Sequence, residues 1–182
     1  MYYELTEDIL FDFGIREPNG MPYDISFLCG VPIDQPLEDP IVFTTKATKG
    51  DTIPDFWNTA MPAVSQRFVD LWEGAGVDNL QKFPAIVKSI NDGTVWDGYY
   101  AVNILGIVKC ADLSLSEYDE IFPGNYSFDT LAIDASLAKG LLIFRLHESP
   151  STILIHKSVG KYIGQQDPNR ELKGWAAKKV IQ

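Results

Sequence analysis

QKFPAIVKSINDGTVWDGYYAVNILGIV, residues 81–108, is the stretch that decides the fold. In its first part Phe83, Ala85 and Val87 alternate with Pro84, Ile86 and Lys88, the period of two that gives a strand two different faces. Asn91-Asp92-Gly93-Thr94 then supplies an Asp-Gly pair, whose tolerance of positive φ suits a tight reversal. The apolar run 99–108 returns. The reading is a β-hairpin, 81–90 against 99–108, and therefore antiparallel pairing at the heart of the chain. Upstream, beyond Pro62, Val64, Phe68, Leu71 and Trp72 recur at i, i+4, i+7 and i+8 with Gln66, Arg67, Asp70 and Glu73 turned the other way. This is an amphipathic helix, stopped by Gly74 and Gly76. Downstream, 126–133 and 141–146 read as a second strand pair joined by 134–140. A short strand at 152–155, a short helix at 158–163 and a final strand at 175–181 follow. Helices and strands do not alternate regularly, so a parallel βαβ sheet is disfavoured; the expectation is an α+β fold, mostly antiparallel, with a few short helices.

The first 60 residues read differently. They hold six of the eleven prolines, which forbids long helices, and between the breaks lie short apolar pieces at 25–31 and 41–45, which read as strands or extended loop. An irregular, Pro-rich, acidic lead-in lobe (1–60) packed on an α+β core (61–182) is expected, in one domain; a chain of 182 residues buries about 70% of its unfolded surface. Charge is concentrated in this segment: residues 1–40 carry nine acidic side chains against Arg16 alone, a balance of −8 out of the total −10. Such a field suits a basic partner and opposes nucleic acid, whose phosphates need clustered Lys and Arg. Glu7, Asp8, Asp12, Asp34, Glu38 and Asp39 are the candidate partner contacts. Trp57 and Trp96, beside Pro54, Asp55 and Asp97, are candidate exposed anchors, whereas Trp72 and Tyr99 or Tyr100 fall on apolar faces and read as core.

Catalytic chemistry finds little to work with. The two histidines, His147 and His156, flank the turn Ser149-Pro150-Ser151 and read as strand-end surface residues; a hydrolase reading would need them to meet Asp112, Glu148, Cys110 or Ser114. Asp112 and Asp119 lack the spacing of a calcium loop, no HExxH or CxxC is present, and neither GxGxxG nor GxxxxGK[ST] occurs. No cofactor or metal is expected. Cys29 and Cys110 make no disulfide framework. The N-terminal Met-Tyr-Tyr-Glu-Leu-Thr-Glu-Asp lacks the basic and apolar regions of a signal peptide and no run approaches a membrane span, so a cytoplasmic protein without membrane contact is expected.

One resemblance rests on the order of several pieces: Ala63-Val64-Ser65-Gln66-Arg67-Phe68-Val69-Asp70-Leu71, then Phe83-Pro84-Ala85, Tyr99-Tyr100-Ala101-Val102-Asn103, Cys110-Ala111-Asp112-Leu113-Ser114-Leu115-Ser116, Ile133-Asp134, Leu142-Ile143-Phe144-Arg145 and Ile153-Leu154-Ile155. Over about residues 60–180 the chain is similar to the bacterial immunity-protein family first described from a myxobacterial protein and linked to polymorphic toxin systems. The small Ala111 before Asp112 departs from the family's bulkier apolar residue there. The resemblance implies a protein that binds a cognate toxin domain and neutralises it by occlusion, in competition between bacteria. It offers no catalytic residues, so no enzymatic activity is expected. Ser65, Asn103, Asp112 and Ser116 fall on the family's recurring polar positions and are read as caps and braces of the fold. An acidic lobe suits a basic toxin such as a nuclease. The competing readings are an adaptor that binds some other basic protein and, behind it, the hydrolase built on His147 or His156.

Overall fold

The computed structural model describes residues 1–8, 10–11, 13–18 and 25–182. In chain order its strands are β1 (Tyr2–Glu7), β2 (Ile15–Arg16), β3 (Ile41–Thr45), β4 (Phe56–Trp57), β5 (Ala63–Ser65), β6 (Leu80–Ser89), β7 (Val95–Ile104), β8 (Ile107–Val108), β9 (Glu117–Phe122), β10 (Asn125–Thr130), β11 (Ile143–Leu146), β12 (Ser149–His156) and β13 (Trp175–Lys179). Helix α1 (Gln66–Gly74) follows β5, and α2 (Lys157–Gln166) follows β12. The fold is α+β.

The hairpin of the opening stretch forms the middle of a six-stranded sheet ordered β2-β3-β6-β7-β5-β4. Its ladder runs from Leu80 opposite Ile104 to Lys88 opposite Val95, with a bulge between Ala85 and Val87. The turn is fixed by Asp92, whose carboxylate accepts from Lys49 N–H at 2.8 Å and Thr94 N–H at 3.0 Å; these backbone donors hold its carboxyl well below the usual range. Gly93 takes the positive φ of 76° that the reversal needs. The β3–β6 pairing is parallel, with Ile41 opposite Ala85, while the remaining pairs in this sheet are antiparallel.

A five-stranded sheet, β13-β1-β12-β11-β8, stands apart from the first, and β9 and β10 form a separate two-stranded ribbon. Three differences from the sequence reading follow. The segment 1–60 is not an irregular lobe throughout: β1 runs between β12 and β13, whereas the extended piece read at 41–45 is the strand β3, beside β6. Strand β10 pairs with β9 rather than with β11, and β11 turns directly into β12. Val64 belongs to β5, where it sits opposite Tyr100, and the helix starts only after Ser65.

Apolar side chains collect in three layers. The central one joins the two sheets through the helices: Phe68, Val69 and Trp72 of α1 and Val159 and Ile163 of α2 pack with Leu5, Val102, Ile104, Ile143, Ile153 and Ile155. Fully burying each large side chain contributes roughly 1.5–3 kcal/mol. Strand β7 shows the sheet's two-sidedness: Val102 and Ile104 face this layer, whereas Tyr99 and Ala101 face a second one with Phe27, Ile41, Phe43, Trp57 and Val87. The far face of the five-stranded sheet is covered by Leu131, Ile133, Ala138 and Val180 over Phe144, Leu146 and Leu154. The sheets are stitched together where Asp55 N–H, just before β4, donates to Lys173 O at 2.8 Å, next to Asp8 N–H, which extends the β1–β13 ladder by donating to Gly174 O at 3.2 Å. Gly174 has φ 78°, and a Cβ there would overlap Pro54.

Candidate partner-binding surface

The acidic candidates sit in two places. Glu7 and Asp8 end β1: Glu7 Oε1 accepts from Asn58 N–H at 2.6 Å, and Asp8 Oδ1 from Leu10 N–H at 3.0 Å. Asp34, Glu38 and Asp39 are exposed on the loop before β3. That loop is held to the sheet by a pair of cross-strand neighbours, Gln81 and Asn103. The Gln81 amide accepts from Ile33 N–H at 2.9 Å and donates to Ile33 O at 2.7 Å, as a neighbouring strand would, while Asn103 Nδ2 donates to Val31 O at 2.8 Å. Among the described residues none of these five carboxylates forms an ion pair within 4 Å. Their field is therefore directed at solvent. Asp12 lies outside the described residues.

Trp57 is not an exposed anchor. It is 2% exposed in the layer behind β7, with its indole N–H donating to Phe13 O at 2.9 Å. The polar neighbours in sequence misled because β4 is buried on both faces: Phe56 points into the central layer and Trp57 into the second. Trp96 is half-buried and lines an open cleft of about 630 Å³ with Asp97, Asp70, Arg67 and Asp55.

Ser65 is the N-cap of α1: its Oγ accepts from Phe68 N–H at 3.3 Å and donates to Asp55 Oδ1 at 2.6 Å. Asp112 receives Ser114 N–H at 3.0 Å and Ser114 Oγ–H at 2.6 Å. Ser116 Oγ donates to Asp112 O at 2.7 Å and accepts from Ala132 N–H at 2.9 Å, which closes the base of the β9–β10 ribbon. Sequence reasoning missed Asp55, which is 3% exposed and binds Arg67 through both carboxylate oxygens at 2.6 Å. The hydrogen bonds to Asp55 raise the Arg67 guanidinium above its usual value.

Among the described residues no cysteine or serine nucleophile is paired with His147, which is exposed. His156 is occupied by structure: its Nδ1 caps α2 at Ser158 N–H, 3.3 Å away, and Nε2 lies 3.3 Å from the Met1 amine. Burial and then that amine lower its pKa. Burial pushes the Cys110 thiol up to about 12, the reverse of what a nucleophile needs. Asp112 and Glu148 contact backbone N–H groups, of Ser114 and Ala111, rather than either imidazole.

The fold and this surface can be set beside known proteins. The family model described as "Immunity protein family (Imm11)" matches residues 6–181. The chain belongs to the Imm11 immunity family. No curated protein gives a match. The Imm11 match begins at residue 6 rather than near 60, so it takes in the acidic lead-in as well as the stretch that carried the resemblance. That agrees with the way β1 and β3 are built into the sheets. Immunity proteins act on toxins, which makes toxin neutralisation the general function and a toxin protein the partner class of Imm11. Among the described residues no helix is long and apolar enough to cross a membrane.

Outside the first 40 residues the balance is −2, but between Lys109 and Lys139 there are six carboxylates and no basic side chain, which leaves +4 for everything else. This is a second acidic segment, and it contains the β9–β10 ribbon.

Proposed function

We propose that this chain is a cytoplasmic, single-domain immunity protein that binds its cognate toxin domain directly and neutralises it by occlusion, without catalysis of its own. The observation that carries the reading is the Imm11 match over residues 6–181. Two features of the surface support the mechanism. Carboxylates at Asp34, Glu38 and Asp39 are exposed and form no ion pair among the described residues, as suits attraction of a basic domain. The groups a hydrolase would recruit are already engaged, His156 in a helix cap and Cys110 in burial. A basic toxin that cleaves nucleic acid fits this charge best, because a surface that grips phosphates is attracted to carboxylates.

The test is co-expression with the toxin domain encoded by the adjacent gene, with survival and co-purification scored together. Survival with a stable one-to-one complex is expected. Survival without a complex, or loss of protection when His147 and His156 are both replaced by alanine while the complex persists, would overturn occlusion in favour of chemistry.

A further inference from the structure

The ribbon β9–β10 contributes to neither sheet. All six residues of β9 are exposed, and among the described residues its only strand partner is β10. Within eight positions the chain exposes four large apolar side chains: Leu115 at 61%, Tyr118 at 39%, Ile121 at 62% and Phe122 at 59%. A protein seldom leaves such a concentration in water unless something covers it. Interleaved with them are Glu117, Asp119 and Glu120, with Asp129 on the return strand, and none of the four forms an ion pair within 4 Å among the described residues.

The ribbon is also held in place. At its base Ser116 and Asp112 tie the chain to Ala132, as described above, and Asp112 N–H donates to Ala132 O at 2.8 Å. Along its length Tyr126 N–H donates to Glu148 O at 2.8 Å and Lys178 Nζ to Asp129 O at 3.1 Å. Phe128 packs against the apolar layer beneath and carries Tyr126 and Tyr118 on it, with ring centroids 6.1 and 6.0 Å from its own. Phe128 is therefore the foot of the ribbon, and Ile121 and Phe122 are its free end, beside the Pro123-Gly124 turn. A preset element of this kind binds without an ordering cost.

Charge decides what can cover it. An open strand edge invites another strand, and natural edges carry charges to prevent this. Three carboxylates in six residues repel a second copy of the same strand, and they equally repel nucleic acid and an anionic membrane. Edge protection alone does not account for Leu115, Ile121 and Phe122, which add the very stickiness the carboxylates oppose. Apolar anchors ringed by one sign of charge are the pattern of a binding face for an oppositely charged protein.

We propose that the β9–β10 ribbon is the toxin-docking element, with Ile121 and Phe122 inserted into an apolar recess of the toxin domain and Glu117, Asp119 and Glu120 meeting its Lys and Arg side chains. This rests on the immunity reading above. The experiment measures the affinity of purified toxin domain for the wild type, for Ile121→Ala/Phe122→Ala and for Glu117→Lys/Glu120→Lys, each variant being checked for an unchanged melting temperature. Both variants alter only exposed side chains. Loss of about 30-fold or more in affinity by each, with loss of protection in cells, is expected. A wild type that binds while both variants stay within about threefold of it overturns the docking assignment and leaves the immunity reading standing. A folded wild type that fails to bind the toxin overturns both.

Discussion

The Asp55 carboxylate meets four donors from three residues: Ser65 Oγ, Arg67 Nε and Nη2, and Lys173 N–H, at 2.6–2.7 Å. The two sides of the ion pair are not alike, since the Arg67 side chain is 53% exposed and that of Asp55 only 4%. Removing Asp55 frees an arginine that water can solvate but strands the Lys173 amide and the α1 cap; removing Arg67 leaves a buried carboxylate with less to hold it. Asp55→Ala and Arg67→Ala should each lower unfolding stability by about 2–4 kcal/mol in urea titrations. Because they break one shared interaction, the double variant should cost about 1–3 kcal/mol less than the sum, and simple additivity would show that the pair is decorative. This residue was invisible in the sequence for a physical reason: its partners lie 10, 12 and 118 positions away. Ser65 was legible, because an N-cap is a local device that needs only a serine in front of an amphipathic stretch.

At the level of elements, the same distinction between local and remote signals explains what could be read. The β6–β7 hairpin and α1 announce themselves through a Asp-Gly turn and a 3.6-residue period, both contained in a dozen residues. Strand β1 does not, because its partners are β12 and β13, far down the chain, and no turn links them. Strand β9 escapes for another reason: all six of its residues are exposed, so no buried face requires it to alternate apolar and polar residues, and three of the six are acidic. Among the described residues the loop before β3 has no strand partner to order it in the way β3 has, and what fixes it is the Gln81 amide acting as a surrogate strand for Ile33. Gln81→Leu keeps the bulk in the sheet and deletes both bonds. It should release the loop locally, raising hydrogen exchange at the Ile33 amide by about tenfold or more while lowering global stability by only about 1–2 kcal/mol. Unchanged exchange at Ile33 would mean that Asn103 and the Phe27–Phe83 contact, with ring centroids 5.6 Å apart, hold the loop without it.

For the molecule as a whole, the two acidic segments, −8 over residues 1–40 and −6 between Lys109 and Lys139, stand against a remainder of +4, so the negative charge is concentrated in two stretches of the chain rather than spread evenly along it. A concentrated charge acts at a distance, before any side chain touches, and so belongs to the rate of encounter; apolar anchors act only on contact and so belong to the lifetime of the complex. The two can be separated by salt, which screens exposed charges beyond about 10 Å at 0.1 M. Between about 0.05 and 0.5 M salt the association rate with the toxin domain should fall by about tenfold or more, while the dissociation rate changes by less than about twofold. Asp34→Asn/Glu38→Gln/Asp39→Asn should slow association and flatten that salt dependence without shortening the complex lifetime, since these side chains stand on a loop with no large exposed anchor except Val31. Ile121→Ala/Phe122→Ala should do the opposite, leaving association and its salt slope intact while accelerating dissociation. If association proves indifferent to salt, the segregated charge has some use other than steering, and the lead-in's carboxylates lose their place in recognition even if the ribbon keeps its own.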